Sequence, residues 1–239
     1  LIAYQVQAAI DAFPTPDQGI WESRGEPQHY VSSKLMIWVA VDRGVRLARS
    51  VGFDGVAEEW RAIADEIKQE ILERGVRDGV FRQHYDTDAL DASLLLIPLL
   101  RFLPPDDPRV RATVEAIAED LSEHGLVLGY KVEETDDGLH GEEGTFLICS
   151  FWLVSALSEI GEPQRARALC ERLLEAAGWL DLYAEELEAS SGRHLGNFPQ
   201  AFTHLALINA VSHVIADEQR EAGGPTAVFS EMGGVRETV

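Results

Sequence analysis

The chain has 239 residues, is 46% hydrophobic, and carries 41 acidic against 20 basic residues, which gives a formal net charge of −21. This composition supplies enough apolar side chains for one large domain and excludes a largely disordered chain. The negative charge disfavours nucleic acid and anionic membrane surfaces, and no apolar run is long enough to predict a membrane-spanning helix, so we expect a neutral or cationic small molecule as the ligand.

The first residues, "LIAYQVQAAIDAF", read as a helix already under way, with neither an initiator methionine nor a basic leader. We therefore expect the chain to be a fragment that works with the missing N-terminal part of the same polypeptide. Cys149 and Cys170 lie inside helical patterns and need not pair. Unpaired cysteines indicate a reducing compartment, and we expect a cytoplasmic protein.

The stretch from residue 14 to residue 32 is a loop with unusual side chains. Helix-breaking residues interrupt it at Pro16, Gly19, Gly25 and Pro27. It nevertheless places Trp21, Glu22 and Arg24 together just before a strongly apolar helical segment. A simple connection between two helices does not need these residues, so Glu22 is a candidate for one half of a catalytic pair.

After this loop, segments that are apolar on all sides alternate with segments that carry one apolar stripe. The all-round segments are 33–50, 90–103, 145–157 and 200–216, and the striped ones are 55–74, 107–121 and 163–177. Inner helices contact neighbours on nearly every side, whereas outer helices bury one stripe. The pattern therefore predicts an all-α barrel of helical hairpins rather than a four-helix bundle, in which every helix would be one-sided.

Finer signals mark the ends of these elements. Asp107 followed by proline predicts a helix N-cap, and Asn197 in "NFPQ" predicts the entry to the last helix. The pieces 79–85 and 126–134 read as short extended segments. The stripe positions expected to face the core are Val56, Trp60, Ile63, Ile67, Ile71, Val110, Val114, Ile117 and Leu121.

Three loops with polar and aromatic side chains each precede an inner helix, at 14–32, 124–144 and 178–198, so we expect them to meet at one mouth of the barrel. The first offers Glu22, and the third offers Glu185 and Glu186. Two opposed carboxylates suit glycoside hydrolysis, in which one protonates the leaving oxygen and the other acts on water or the sugar. Aromatic faces for a sugar ring are available at Trp21, Tyr30, Tyr130 and Trp179.

Other chemistry is poorly supported by the sequence. The seven histidines have no metal-ligand spacing, and His204 and His213 lie on an apolar segment that suggests hydrogen-bonded core histidines. The glycines of "GLHGEEG" do not follow a strand and open a helix, as a phosphate-binding loop requires. We therefore expect neither a metal nor another cofactor.

Four long strings resemble glycoside hydrolase family 15: "PDQGIWESRGEPQHYVSSKLMIWVAVDRG", "LDASLLLIPLLRFLPPDDPRV", "EEGTFLICSFWLVSAL" and "GRHLGNFPQAFTHLALINA". They are most similar to its actinobacterial α,α-trehalase group. The resemblance implies an (α/α)6 barrel of which this chain supplies about helices five to twelve. Residues 1–220 would then be the C-terminal two-thirds of the barrel, and residues 221–239 a flexible tail.

The resemblance also implies roles for particular residues. Glu22 would be the general acid and Glu185 the general base of an inverting hydrolysis of trehalose to glucose, with Glu186 as the rival base. Substrate-binding positions would be Trp21, Arg24, Tyr130, Lys131 and Glu143. Relatives have an Arg-Tyr pair where this chain has Gly129 followed by Tyr130; lysine lacks the planar fork of arginine, so Lys131 would be an imperfect substitute.

Two alternatives stay open from the sequence. One is a glucoamylase-like exo-hydrolase that acts on α-glucan ends. The other is a non-catalytic, sugar-binding or structural α/α-barrel whose carboxylates lie out of register. A binding module needs the aromatic faces but not two opposed carboxylates separated by the width of a water molecule.

Overall fold

The computed structural model describes residues 1–135 and 144–223 of the chain. Its regular structure is mainly helical, as the alternation of apolar patterns predicts. The helices are α1 Ile2–Ala12, α2 Val31–Ser50, α3 Asp54–Arg74, α4 Leu96–Leu99, α5 Pro108–Asp120, α6 Leu147–Glu159, α7 Pro163–Ala176 and α8 Ala201–Glu221. Within the described ranges, no helix is long and apolar enough to cross a membrane.

Short antiparallel strands connect these helices. They are β1 Val76–Arg77, β2 Val80–Phe81, β3 Ser122–Glu123, β4 Leu126–Val127, β5 Thr145–Phe146, β6 Glu186–Leu187 and β7 His194–Leu195. The pairs β1–β2 and β3–β4 are hairpins, and they begin the extended pieces that the sequence predicts. Strands β5, β6 and β7 form a three-stranded sheet that joins distant parts of the chain and that the sequence did not predict.

Helices α2 and α6 are inner helices. Ten of the thirteen α6 residues are buried, and no single face is distinguished from the others. Helix α2 buries Leu35, Trp38 and Val41 on one side, and Gly44 lies against the side chain of Trp60 from α3 on another. Both helices therefore have neighbours on most sides, as their all-round apolar sequences predict.

Helices α3, α5 and α7 are outer helices that bury one stripe each. In α5 the predicted stripe is buried, and Asp107 caps the helix by accepting a hydrogen bond of 2.9 Å from the backbone N–H of Arg109. In α3, Ile67 and Ile71 are buried, but Val56 is 40% exposed, so the predicted stripe is wrong at its first position. The alternation of inner and outer helices is thereby confirmed from α2 to α7.

The expectation that the last helix is buried on most sides is wrong for this chain. Only Thr203, Ala206, Ala210 and Asp217 of α8 are buried. The apolar side chains on the rest of the helix are exposed at Phe202, Leu205, Ile208 and Ile215, with Phe202 67% exposed. An apolar sequence shows that a face needs a neighbour, but it does not show whether that neighbour belongs to the same stretch of chain.

The segment 90–103 is also less regular than its sequence predicts. It forms a 3-10 turn, Ala92–Leu95, followed by the four-residue α4 rather than one continuous helix. Pro98 lies inside α4, where its ring nitrogen cannot donate a helical hydrogen bond. The apolar side chains of this segment are still core residues, since Leu94, Leu95 and Ile97 are buried.

The two cysteines and the end of the barrel complete the fold. Cys149 and Cys170 are both buried free thiols. Burial raises the pKa of both thiols, that of Cys149 well above its ordinary value. Helix α8 ends at Glu221, close to the predicted domain boundary at residue 220, whereas most of the predicted tail lies outside the described residues.

Candidate active site

The loop between α1 and α2 is held by buried polar side chains of α2. The ammonium of Lys34, which is fully buried, donates hydrogen bonds of 2.6 Å to the carbonyls of Phe13 and Thr15. The hydroxyl of Ser33 donates to Asp17 Oδ1 at 2.8 Å, and the same oxygen accepts from the backbone N–H of Gly19 at 2.7 Å. The loop therefore has a fixed path despite its glycines and prolines.

Trp21 and Glu22 lie at the tip of this loop. The Trp21 ring packs at tilted angles on Tyr130 and Phe146, with ring centroids 6.1 and 5.3 Å apart. Its indole N–H donates to the buried carboxylate of Asp91 at 2.9 Å. Glu22 follows with φ +54°, a left-handed conformation that residues other than glycine rarely adopt. Its side chain is exposed.

The segment 178–198 carries the second pair of acidic residues, around the β6–β7 hairpin. Glu185 is held by main-chain groups: its N–H donates to the carbonyl of Asn197 at 2.9 Å, and its own carbonyl accepts from Leu147 at 3.1 Å. Its carboxylate oxygen Oε2 accepts from the N–H of Asn197 at 3.1 Å. The position of this carboxylate thus follows from the pairing of two backbone stretches.

The prediction that Asn197 caps the last helix is wrong. The N-cap of α8 is Gln200, which makes no capping hydrogen bond through its side chain. The backbone of Asn197 instead pairs with Glu185 on both its donor and its acceptor side. An asparagine before a helix predicts capping from local sequence alone, whereas this pairing depends on a residue twelve positions earlier.

One cavity of about 690 Å³ brings the predicted loops together, with residues from all three expected loops or the helix turns that follow them. Glu22 and Glu185 both line it. Its described lining residues are Ile20, Trp21, Glu22, Tyr130, Phe146, Ile148, Trp152, Glu185, Gln200 and Phe202. Two carboxylates and four aromatic side chains around one space of this size form a concave site suited to a small polar molecule with flat apolar faces.

Glu186 has a different environment from its neighbour Glu185. Its Oε2 accepts from the N–H of Gly144 at 3.1 Å, and it is not one of the residues that line the cavity. Burial raises the pKa of Glu186, the Gly144 hydrogen bond opposes that effect, and the adjacent Glu185 charge adds to it. Alternation along the extended strand separates the two carboxylates in space.

The other predicted sugar contacts are only partly at the cavity. Tyr130 is buried at its wall beside Trp21. Arg24 is exposed and does not line it. Lys131 makes an ion pair of 3.6 Å with Glu134 and lines a neighbouring depression. Glu143 lies outside the described residues.

The structure adds residues that sequence reasoning missed. Phe146 and Trp152 lie in or beside an apolar run, and Gln200 precedes α8, so nothing local distinguished them from core or loop residues. Asp91 was overlooked because a single aspartate before an apolar run reads as a helix cap. The aromatic residues Tyr30 and Trp179 lie elsewhere: Tyr30 is buried in the core, and Trp179 is 89% exposed.

The described histidines and acidic residues show no arrangement of three or more that could hold a metal ion. His204 accepts from the N–H of Tyr183 at 3.4 Å and shares a hydrogen bond of 2.6 Å with the carbonyl of Gln200. His213 contacts Glu159 at 3.2 Å, and this contact raises the pKa of its imidazole. Both rings have structural partners, in agreement with their interpretation as hydrogen-bonded histidines.

Comparison with known proteins places this geometry in context. A trehalase of Mycobacterium tuberculosis is 68% identical over 222 residues, which are 92% of this chain and 33% of that protein. A trehalase of Mycolicibacterium smegmatis is 67% identical over the same shares of the two chains. The chain thus spans about a third of the length of these curated relatives.

A solved structure with the same fold is that of a bacterial glucoamylase complexed with acarbose. It superposes with a TM-score of 0.70 at 12% identity, over 91% of this chain and 38% of that one. This likeness shows the fold, an (α/α)6 barrel, of which this chain supplies part. The sequence pattern of glycosyl hydrolases family 15 matches residues 1–212. The helices, the loops at the cavity and the sequence thus agree, and the chain belongs to glycosyl hydrolases family 15.

Proposed function

We propose that this chain supplies the general acid and the general base of an inverting α-glucosidase, with Glu22 as the acid and Glu185 as the base. The shared cavity carries the proposal, since two carboxylates from distant parts of the sequence line one space with aromatic walls. Carboxylate pairs of this kind hydrolyse glycosides, and aromatic faces pack on sugar rings.

The reaction assigns one proton transfer to each carboxyl group. Glu22 gives its proton to the glycosidic oxygen as the bond from that oxygen to the anomeric carbon breaks. Glu185 takes a proton from the water that attacks the same carbon from the opposite face. One water is consumed, two sugars leave, and exchange with solvent restores both carboxyl groups. Inversion requires the two groups to lie ~6.5–9.5 Å apart, which leaves room for the water.

Trehalose is the substrate we propose first, because the two mycobacterial relatives at 67–68% identity are named trehalases. The glucoamylase likeness is far more distant in sequence, at 12% identity. A panel of trehalose, maltose and starch distinguishes the two substrate classes. A sugar-binding barrel would bind one of these sugars without releasing glucose.

We further propose that other residues of the same polypeptide complete the site. The curated relatives are about three times as long as this chain, and exposed apolar side chains such as Phe202 and Ile208 on α8 leave a face of the kind that packs against another element. The 239-residue chain by itself should therefore show no trehalose hydrolysis. The buried free thiols of Cys149 and Cys170 favour a reducing compartment, and we propose the cytoplasm.

The stereochemistry of the products tests the mechanism directly. Both anomeric carbons of trehalose are α. Inversion at one of them releases equal amounts of α- and β-glucose, whereas retention releases only α-glucose. Proton NMR of the first products of the complete polypeptide, recorded before mutarotation, should therefore show a 1:1 ratio of anomers. Only α-glucose would overturn the inverting mechanism.

Matched variants test the residue roles. In the complete polypeptide, Glu185→Ala should remove most turnover, and added azide should restore part of it with glucosyl azide as the product. Glu186→Ala is the control and should retain turnover. The reverse result would move the base to Glu186, and full activity of both variants would contradict the proposed pair. Tyr130 and Trp21 are the sugar contacts that the cavity supports, whereas those of Arg24, Lys131 and Glu143 stay predictions.

A further inference from the structure

Asp91 is a buried acidic residue whose two carboxylate oxygens have separate partners. It is 1% exposed and immediately precedes the 3-10 turn Ala92–Leu95. Its Oδ1 accepts from the N–H of Ser93 at 2.8 Å and from the Ser93 hydroxyl at 2.5 Å. Its Oδ2 accepts from Gln83 Nε2 at 3.1 Å and from Trp21 Nε1 at 2.9 Å.

Capping the turn requires only one of these oxygens. An asparagine or serine can supply a single acceptor at a helix start without placing a carboxylate in the core. Burial raises the pKa of Asp91, although the hydrogen bonds from Ser93, Gln83 and Trp21 oppose this effect. The second oxygen, Oδ2, accounts for the acid at this position, because two N–H donors converge on it and neither could face the amide NH2 of an asparagine.

Trp21 links Asp91 to the cavity. Its ring packs on Phe146 and Tyr130, and a side-chain carbon added at Gly129 would lie 3.5 Å from it. These apolar contacts are non-directional, so they permit the ring to slide or rotate in its own plane. The hydrogen bond from Nε1 to Asp91 is directional and fixes the indole in one orientation.

The orientation of Trp21 is transmitted to Glu22 through the main chain. The two residues share a peptide group, and Glu22 adopts φ +54° with its N–H donating to the carbonyl of Gly19 at 3.3 Å. A residue other than glycine holds this conformation only where its surroundings enforce it. A shift of the Trp21 backbone would therefore redirect the Glu22 side chain.

We propose that Asp91 is a positioning residue for the general acid, which holds Trp21 through its indole N–H and thereby directs Glu22 at the glycosidic oxygen. The inference rests on the proposed function. It predicts a specific defect, the loss of proton delivery to the leaving group, rather than a general loss of activity.

Two substrates with different leaving groups reveal that defect. Glucose leaves trehalose only after protonation of its oxygen, whereas fluoride leaves α-glucosyl fluoride without a proton from the enzyme. In the complete polypeptide, Asp91→Asn should lower kcat on trehalose by about 10- to 100-fold, the size expected for a displaced catalytic group. Its kcat on α-glucosyl fluoride should stay within about 3-fold of wild type, a difference too small to imply a disrupted site.

A double-mutant cycle tests whether Asp91 acts through Trp21. Trp21→Phe keeps an aromatic ring but removes the indole N–H. Adding Asp91→Asn to Trp21→Phe should lower kcat on trehalose no further, because both changes break the same hydrogen bond. Ser93→Ala is the matched control, since it removes a bond to Oδ1 and leaves Oδ2 and Trp21 untouched. It should leave the ratio of the two activities unchanged.

The outcomes separate this inference from the proposed function. An equal loss on both substrates in Asp91→Asn, or additive effects in the cycle, would overturn the positioning role. If Asp91→Asn does not fold, Trp21→Phe alone decides, because it breaks the bond from the other side and must show the selective loss. Glu22→Gln is the reference. Without selective loss there, the proposed acid fails; with it there but not in Asp91→Asn, only this inference fails.

Discussion

Two regions at the same cavity are held in opposite ways. The acid loop, residues 14–30, takes its shape from buried side chains outside it: Lys34, Ser33 and Asp91 bind its carbonyls, Asp17 and Trp21. The base segment, residues 183–198, is held by main-chain pairing between Glu185 and Asn197. The acid is thus sensitive to changes in distant side chains, whereas the base is sensitive to changes in backbone geometry.

The largest expected effect comes from a glycine of the base segment. Gly196 has φ +70°, and a side-chain carbon added there would lie 2.6 Å from Glu185 Oε2. The flexible carboxylate can move away at little cost in stability, but it then leaves its position on the cavity. In the complete polypeptide, Gly196→Ala should lower kcat on trehalose by about 100-fold, the usual result of a displacement near 1 Å.

Gly192→Ala is the matched control for that substitution. Gly192 also has a positive φ, of +71°, but nothing lies within 4 Å of an added carbon. Both variants should lose about 1–2 kcal/mol of unfolding free energy from the left-handed conformation, and only Gly196→Ala should lose turnover. Similar kcat values for the two variants would show that the carboxylate does not depend on this backbone contact.

The acid loop is tested next by removing its buried ammonium. Lys34→Met leaves the carbonyls of Phe13 and Thr15 without their donor. We expect a loss of about 1–3 kcal/mol in unfolding free energy, measured by urea denaturation, because unsatisfied buried acceptors are costly. Turnover should fall as well, because the loop that carries Glu22 loses an anchor.

Lys68→Met provides the comparison. Lys68 donates to one carbonyl, that of Phe102, at 2.6 Å and lies over the rings of Trp38 and Phe102, away from the acid loop. Burial lowers the pKa of both lysines, so the two sites are chemically alike. Lys68→Met should lower stability without lowering kcat. Unchanged turnover in Lys34→Met would contradict a role for remote side chains in the acid loop.

A glycine of the acid loop gives an intermediate effect. Gly19 has φ +68°, and an added carbon would meet the ring of buried Tyr30 at 2.9 Å. Gly79 has φ +80° with open space around it. Both Gly→Ala changes cost about 1–2 kcal/mol for the conformation, and Gly19→Ala should cost about 1 kcal/mol more, since a buried ring cannot yield freely. Equal midpoints in thermal unfolding would argue against this packing.

The smallest effect concerns the acidic neighbour of the base. Because burial raises the pKa of Glu186, its ionised form costs stability at neutral pH, and this cost disappears as the pH falls below the ordinary glutamate value. Glu186→Gln should therefore raise the unfolding free energy at pH 7, by less than about 1 kcal/mol because the carboxylate is half-exposed. The gain should shrink toward pH 4.

Glu188→Gln is the contrasting variant on the same hairpin. Glu188 pairs with Arg193 at 3.7 Å, so its charge is favourable, and its substitution should give a small loss at pH 7 rather than a gain. A loss of stability in Glu186→Gln at pH 7 would mean that a carboxylate side chain helps to hold the base segment, which would weaken the contrast with the acid loop.

Local patterns in the sequence determined much of the fold. Apolar periodicity identified α2 and α6 as inner helices and α5 as an outer one, because burial of one face or of all faces follows from the composition of a helix itself. The Asp107 cap was equally predictable, since it involves neighbours in sequence. The family resemblance singled out Glu22 and Glu185, and their roles stay predictions.

Tertiary structure alone decided how those residues are supported and what remains uncovered. The partners of Asp91 and Asn197 lie at positions that no periodicity relates to them, so sequence spacing assigned both residues to local caps. Apolar side chains of α8 such as Phe202 remained exposed, because a helix cannot encode which element will cover it. Hydrogen bonds and packing between distant segments depend on the path of the whole chain, and that path exists only in the folded molecule.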